Sequence, residues 1–256
     1  MKLQGRCISN GKAKGEVIKL EEPLSFLGGV DGATGDLRVR EGNVAGKILV
    51  FPRGKGSTVG SYVMYDLMVH RKEPAAVINE SAETIVATGA VISSIPMVDM
   101  IPSVRIFQDG DIVTVDAGAG TVEIEGIAYK EVVSSVVSRN DKCILEKRHD
   151  NSRSFPGHWS LVAGKIEKGE TPVQAARREI LEETSIEVGE PLGEMEPLYC
   201  REGMTLFKVY PFHFDAGDKE PVINDENDGY VWASVEDAES MRTVTDTVLV
   251  MKYFLG

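Results

Sequence analysis

Residues 164–186, GKIEKGETPVQAARREILEETSI, crowd carboxylates onto a stretch otherwise built to be a helix. Thr171 and Pro172 suit an N-cap and a first helical position. Ala175, Ala176 and Ile180 then supply an apolar stripe. Glu179, Glu182 and Glu183 fall at i, i+3 and i+4, so they share one helix face. Like charges so placed repel, and Arg178 to Glu182 at i+4 offsets part of the cost. A merely solvated acidic face would interleave lysines. Three crowded carboxylates instead suit a hard divalent cation, which takes oxygen ligands. Such a cation would bridge them to a substrate's phosphates and acidify a bound water for attack on phosphorus.

The full pattern is Gly164, five residues, Glu170, seven residues, Arg178-Glu179-Ile180, then Glu182-Glu183 and Ile186. It resembles the signature of the Nudix family. The resemblance implies an α/β/α sandwich that hydrolyses a nucleoside diphosphate linked to another group, with Mg²⁺ or Mn²⁺. It also implies metal ligation by Glu179, Glu182, Glu183 and the carbonyl of Gly164, with Arg178 bracing the helix against a carboxylate. One position departs: Ser185 stands where the family has glycine. A helix-ending residue often has positive φ, which Ser tolerates poorly. The family's Leu-Pro-Gly-Gly is here Leu161-Val162-Ala163-Gly164, so no subfamily or particular substrate is indicated.

The flanks agree. Lys142–Lys147 reads as one strand and Gly157–Val162 as another. The run DENDGYVW from Asp225 to Trp232 resembles the family's late acidic loop and Tyr-x-Trp strand. Glu226 is the first candidate for a catalytic base there; an ordinary exposed loop acid is the competing reading. His158 and His213 lack metal-ligand spacing and read as structural or surface residues, and Trp159 as core.

A second feature lies in residues 48–58, ILVFPRGKGST. Ile48–Phe51 is a buried strand by composition. A glycine-rich loop follows, with Arg53 and Lys55 in it, and Ser57 or Thr58 can cap a helix over TVGSYVMYDLMVH. Strand, glycine-rich turn and helix N-terminus make an anion site, although GxxxxGK[ST] is absent. On that stretch alone, an ordinary turn with a capping serine is the better explanation. The wider context, GRCISNGKAKGEVI, GKILVFPRGKGSTVGSYVMYDLM and PAAVINESAETIVATGAVISSIPMVD, resembles the swivelling small subunit of the aconitase X family, of the archaeal phosphomevalonate dehydratase type.

That resemblance implies a β-rich swivelling domain in which Ser57 accepts a proton during dehydration of 5-phosphomevalonate to anhydromevalonate phosphate. Cations and helix amides would stabilise the serine alkoxide, and Arg53 and Lys55 are candidates for that role or for holding a substrate anion. The family's Lewis acid is an iron–sulfur cluster, which needs three or four convergent cysteines. The chain has only Cys7, Cys143 and Cys200, far apart. A separate large subunit is therefore expected to bring the cluster.

Charge divides the chain. Residues 1–127 carry thirteen basic and sixteen acidic side chains, residues 128–256 fifteen and twenty-four. A turn-rich break, Asp116–Gly120, and a closing strand, Thr121–Ile124, mark the seam. The expected fold is α/β in two domains. A β/β/α swivelling domain spans 1–126 and a Nudix α/β/α sandwich spans 128–256. The net charge of -12 argues against nucleic-acid binding. No run nears the roughly 20 apolar residues of a membrane span, and the N-terminus lacks a signal-peptide core. A cytoplasmic, bifunctional enzyme with a small-molecule diphosphate substrate is expected. The alternative is one catalytic half joined to a ligand-sensing or partner-docking module.

Overall fold

The computed structural model describes residues 1–225 and 227–256. The chain forms two compact units, Met1–Ala128 and Tyr129–Gly256. No helix among the described residues is long and apolar enough to cross a membrane.

The first unit contains strands β1 (Lys2–Gln4), β2 (Arg6–Ser9), β3 (Lys12–Lys19), β4 (Ile48–Phe51), β5 (Ala76–Asn79), β6 (Met97–Asp99), β7 (Ile112–Asp116) and β8 (Thr121–Ile124). They form one sheet in the order β1-β8-β7-β3-β4-β5-β6-β2. Strands β3 to β6 run parallel and the flanking pairs antiparallel. A helical turn, α1 (Phe26–Gly29), precedes two helices, α2 (Gly60–Val69) and α3 (Thr84–Ile92). These two are the crossovers that parallel neighbours require. Every residue of β4 and β5 is buried, as in parallel strands covered on both faces. Leu49, Phe51 and Val77 pack there with Met64 and Leu67 of α2 and Val86 of α3.

Helix α2 begins later than the capping reading expects. Its N-cap is Val59, with no side-chain cap bond. Ser57 and Thr58 belong to a preceding turn, closed by the Gly60 amide donating to the Ser57 carbonyl at 2.8 Å.

The second unit contains β9 (Ala128–Arg139), β10 (Lys142–Arg148), β11 (Trp159–Ser160), β12 (Val162–Lys165), β13 (Gly193–Glu194), β14 (Leu198–Glu202), β15 (Thr205–Asp215) and β16 (Asn227–Ala233). Its helices are α4 (Pro172–Thr184), α5 (Val235–Glu239) and α6 (Thr247–Leu255). The sheet runs β11-β10-β9-β15-β13, with β12 on β9, β14 on β15 and β16 on β10. Side chains alternate across it with the period of two that a strand imposes. Val133, Val137 and Ile144 meet Ala175, Ala176 and Ile180 of α4. Val136, Cys143 and Leu145 meet Ala238 of α5 and Val250 and Met251 of α6. The result is a helix–sheet–helix sandwich. The continuous strand read over 157–162 is instead two short ones: β11 pairs with β10, and after Leu161 the chain crosses so that β12 pairs with β9.

Helix α4 starts as its sequence reads. Thr171 Oγ1 accepts from the Gln174 amide at 3.3 Å, and Gln174 Oε1 accepts from the Thr171 amide at 2.9 Å. This reciprocal capping is worth about 1 kcal/mol. The helix ends on Ser185 at φ 57°, ψ 17°, its amide donating to the Leu181 carbonyl. A left-handed backbone costs an L-residue roughly 1–2 kcal/mol. Ser185→Gly is therefore expected to stabilise the fold by about 0.5–1 kcal/mol, after glycine's extra unfolded entropy is subtracted. A denaturant titration reads this as a raised midpoint at unchanged slope. A lowered midpoint would mean that the Ser185 hydroxyl bond to the Val222 carbonyl, 3.4 Å, outweighs the strain.

Candidate active sites

In the second unit, Arg178 organises the acidic face of α4. Its guanidinium donates twice to Glu170, at 2.8 and 3.0 Å, and also to Glu179 at 2.8 Å and Glu182 at 3.0 Å. A fifth bond, 2.9 Å, reaches the carbonyl of Lys165 on β12. Helix and strand are thus locked by one side chain. Arg178 holds the Glu170 carboxyl down at about 2, with help from the Glu167 amide. Glu170, a fixed point of the sequence pattern without an assigned task, is the anchor of the brace.

The three helix carboxylates do not behave alike. Glu182 is turned outward, its side chain 55% exposed, against Arg178. Glu179 is 14% exposed and lies over Gly164: a Cβ there would sit 1.8 Å from the Glu179 carboxyl carbon. Gly164 is therefore glycine because the carboxylate occupies the place of its side chain. Glu183 is buried at 6% and accepts from the Ala163 amide at 3.2 Å.

Strand β10 adds a carboxylate that the helix pattern does not contain. Glu146, 1% exposed, lies against the Glu183 carboxyl. Burial, then Glu146, then Glu179 push the Glu183 carboxyl far above the usual carboxylate range. Glu146 Oε2 also accepts from Asn227 Nδ2 at 3.1 Å. A sequence signal existed: Glu146 is in phase with Ile144 and directly follows the apolar run Cys143–Leu145. Reading KCILEK only as an apolar strand passes over it.

Asn227 opens β16 opposite Arg148, where the β10–β16 register shifts. Such bulges re-aim side chains beside functional sites. His149 clasps the acidic loop next to them. Its Nδ1 bonds Asp228 and its Nε2 bonds the Asp225 carbonyl at 2.9 Å, and both partners raise its pKa. Glu226 lies outside the described residues. His158 Nδ1 bonds the Pro156 carbonyl, and His213 Nε2 bonds Ser138 Oγ at 2.7 Å. Trp159 is half-buried at the edge of the α5–α6 core.

A cavity of about 440 Å³ adjoins this cluster, and Gly164, Glu183 and Asn227 line it. Lys130, Arg148, Arg153 and Lys165 bring cations to it, and Phe155 and Phe207 bring aromatic walls. Among the described residues, no three His, Cys, Asp or Glu side chains are gathered as a ready coordination set. Glu182 is diverted to Arg178, and Glu183 to Glu146. The donors still fit a hard divalent cation: all are oxygens, two carboxyls are buried in contact, and Gly164 leaves the backbone bare beside Glu179.

In the first unit the loop after β4 is pinned to the chain before α1. The Leu24 amide donates to the Arg53 carbonyl at 3.1 Å, and the Lys55 amide to the Leu24 carbonyl at 3.0 Å. Two glycines are steric requirements. A Cβ on Gly54 would meet Val86 at 2.5 Å; Gly56 has φ +104° and would meet Ser25 Oγ at 2.8 Å. Arg53, Lys55 and Ser57 are all exposed. Ser57 Oγ accepts from the Val59 amide at 3.3 Å. Lys55 lines a cavity of about 700 Å³ with Lys19, Ser25, Gly28, Arg40 and Asp109, whereas Arg53 and Ser57 do not line it. This unit does not fit an iron–sulfur cluster of its own, because Cys7 is its one thiol and is exposed.

Comparison with known proteins separates the same two parts. A model described as "Aconitase X swivel domain" matches residues 2–124, and one described as "NUDIX domain" matches residues 128–252. The phosphomevalonate dehydratase small subunit of Thermococcus kodakarensis is 59% identical over 129 residues, 48% of this chain and 96% of that protein. The crystal structure of Thermococcus kodakaraensis aconitase X, holo-form, is 58% identical over 48% of this chain and 98% of that one, with a TM-score of 0.47. The MutT protein of Methanosarcina mazei is 25% identical over 50% of this chain and 94% of its own, with a TM-score of 0.43. The chain belongs to the aconitase X swivel-domain family through its first half and to the NUDIX family through its second.

Proposed function

We propose that the second unit hydrolyses a small-molecule diphosphate with Mg²⁺ or Mn²⁺. The observation that carries this is the buried carboxyl of Glu183, beside Gly164, at a cavity lined with arginine and lysine. Glu179, Glu183 and the Gly164 carbonyl hold the cation, and Glu182 joins them if Arg178 releases it. The bound ion would supply charge neutralisation on the diphosphate and acidify a water. Arg148, Arg153 and Lys165 hold the phosphates, and Arg178 keeps α4 in place against β12. Glu226 is the candidate to take the proton of the attacking water.

The first unit, in this reading, is the small subunit of a phosphomevalonate dehydratase-type hydro-lyase. Identity to the Thermococcus kodakarensis small subunit over nearly its whole length supports it. Ser57 accepts the proton removed from carbon, and Arg53 and Lys55 hold substrate anions. A separate large subunit brings the iron–sulfur cluster, since the cysteines here cannot. The chain then works in the cytoplasm.

The test is a screen of the purified chain against nucleotide sugars, ADP-ribose, nucleoside triphosphates and isoprenoid diphosphates. At least one is expected to be cleaved with Mg²⁺ or Mn²⁺, and a chelator to stop the reaction. Binding without cleavage across all classes would favour a ligand-sensing second unit instead.

A further inference from the structure

Asn79 ends β5, follows three apolar residues and is fully buried. Its Nδ2 donates to the Phe51 carbonyl at 2.6 Å and to the Ile78 carbonyl at 3.2 Å. Both partners are carbonyls, so the amide nitrogen must be the atom that faces them. Its Oδ1 has no hydrogen-bond partner among the described residues. Burying an amide oxygen in that way costs stability, and an apolar side chain would avoid the cost. The bond to Phe51 falls where the chain leaves β4 for the Ser57 loop. Phe51 precedes Pro52, which has no N–H. The peptide unit between them can therefore be held only through its carbonyl. Further along, the Glu80 and Ser81 amides donate to the Pro52 carbonyl at 3.0 and 3.1 Å, and the Leu24 backbone holds Arg53 and Lys55. The carbonyls of Phe51, Pro52 and Arg53 are thus all fixed, the first of them by the Asn79 side chain.

We propose that Asn79 is a positioning residue for Ser57. By holding the Phe51 carbonyl it sets the direction in which the loop leaves β4, and so the place of the Ser57 hydroxyl. This rests on the reading of Ser57 as the proton acceptor of the dehydration. Asn79 itself touches no substrate in this proposal; it acts through the loop. A misplacement of about 1 Å in a reacting group can cost roughly 100-fold in rate, even when its cause lies away from the chemistry. The effect of losing the Asn79 bond therefore belongs to kcat rather than to substrate binding, and it exists only while Ser57 has a hydroxyl to place.

A double-mutant cycle tests this in the full chain reconstituted with a cluster-bearing large subunit. Asn79→Leu keeps a similar shape and has no donor. Dehydration of 5-phosphomevalonate is followed for the parent, Asn79→Leu, Ser57→Ala and the double variant, well below their melting temperatures and with enough complex to read the slow Ser57→Ala rate. Asn79→Leu is expected to lower kcat by about 10–100-fold while KM stays within a few-fold of the parent. In the Ser57→Ala background the same substitution is expected to change kcat by less than about twofold. A merely structural residue would lower kcat by the same factor in both backgrounds, and that result would overturn the proposal. Parent-like kcat in Asn79→Leu, or failure of that variant to assemble with the large subunit, would overturn it as well. Near-normal turnover in Ser57→Ala alone would instead remove the reading of Ser57 as proton acceptor, and this proposal with it.

Discussion

Glu183→Gln is expected to leave the fold intact and to reduce metal-dependent hydrolysis by roughly 100-fold or more. The lower bound follows from partners that only orient a ligand, whose loss already costs about 10–100-fold. Retention of the fold follows from the neighbours. The new carbonyl accepts from the Ala163 amide as the carboxylate does, and the new N–H₂ donates to Glu146. Burial, Glu146 and Glu179 already favour the neutral Glu183 carboxyl, so a neutral amide of the same shape should melt close to the parent without metal. Steady-state hydrolysis of the best substrate, beside a thermal melt, reads both effects. Hydrolysis at the parent's rate would remove Glu183 from the site.

Ser57→Ala carries the second large effect and separates two roles of one hydroxyl. As a turn residue, Ser57 makes one exposed bond of 3.3 Å to the Val59 amide, so its loss costs about 0.5 kcal/mol. As a proton acceptor it would carry about 10²–10⁴-fold of rate. The measurement is dehydratase turnover of the chain reconstituted with a cluster-bearing large subunit, with subunit assembly checked separately. Turnover is expected to collapse in a complex that still assembles. Near-normal turnover with a slightly lowered melting temperature would leave Ser57 as a turn residue only. Hydrolysis by the second unit should not change, because its acidic cluster draws on residues 146–227 alone.

The two predictions rest on different kinds of local information. The loop around Ser57 is written in adjacent residues. Gly54 and Gly56 are required by close approach and positive φ, and the strand before them is apolar throughout. The cap, read at Ser57 or Thr58, lies one or two residues later, at Val59. A serine three positions before Gly60 can close either a turn or a helix, and local sequence does not choose between them.

The sequence by itself determined the acidic helix, its N-cap at Thr171, the common face of Glu179, Glu182 and Glu183, and the partner Arg178 for Glu182. All of these depend on spacing within a few turns, and helical geometry fixes such neighbours. The tertiary structure alone decided what each carboxylate meets. Arg178 drew Glu182 outward and took Glu170 as its anchor. Packing of α4 on β12 brought Glu179 over Gly164, and β10 and β16 brought Glu146 and Asn227 to Glu183. Helix periodicity states which face a side chain occupies. It cannot state which distant strand lies against that face, because sheet order and register are set by the whole core.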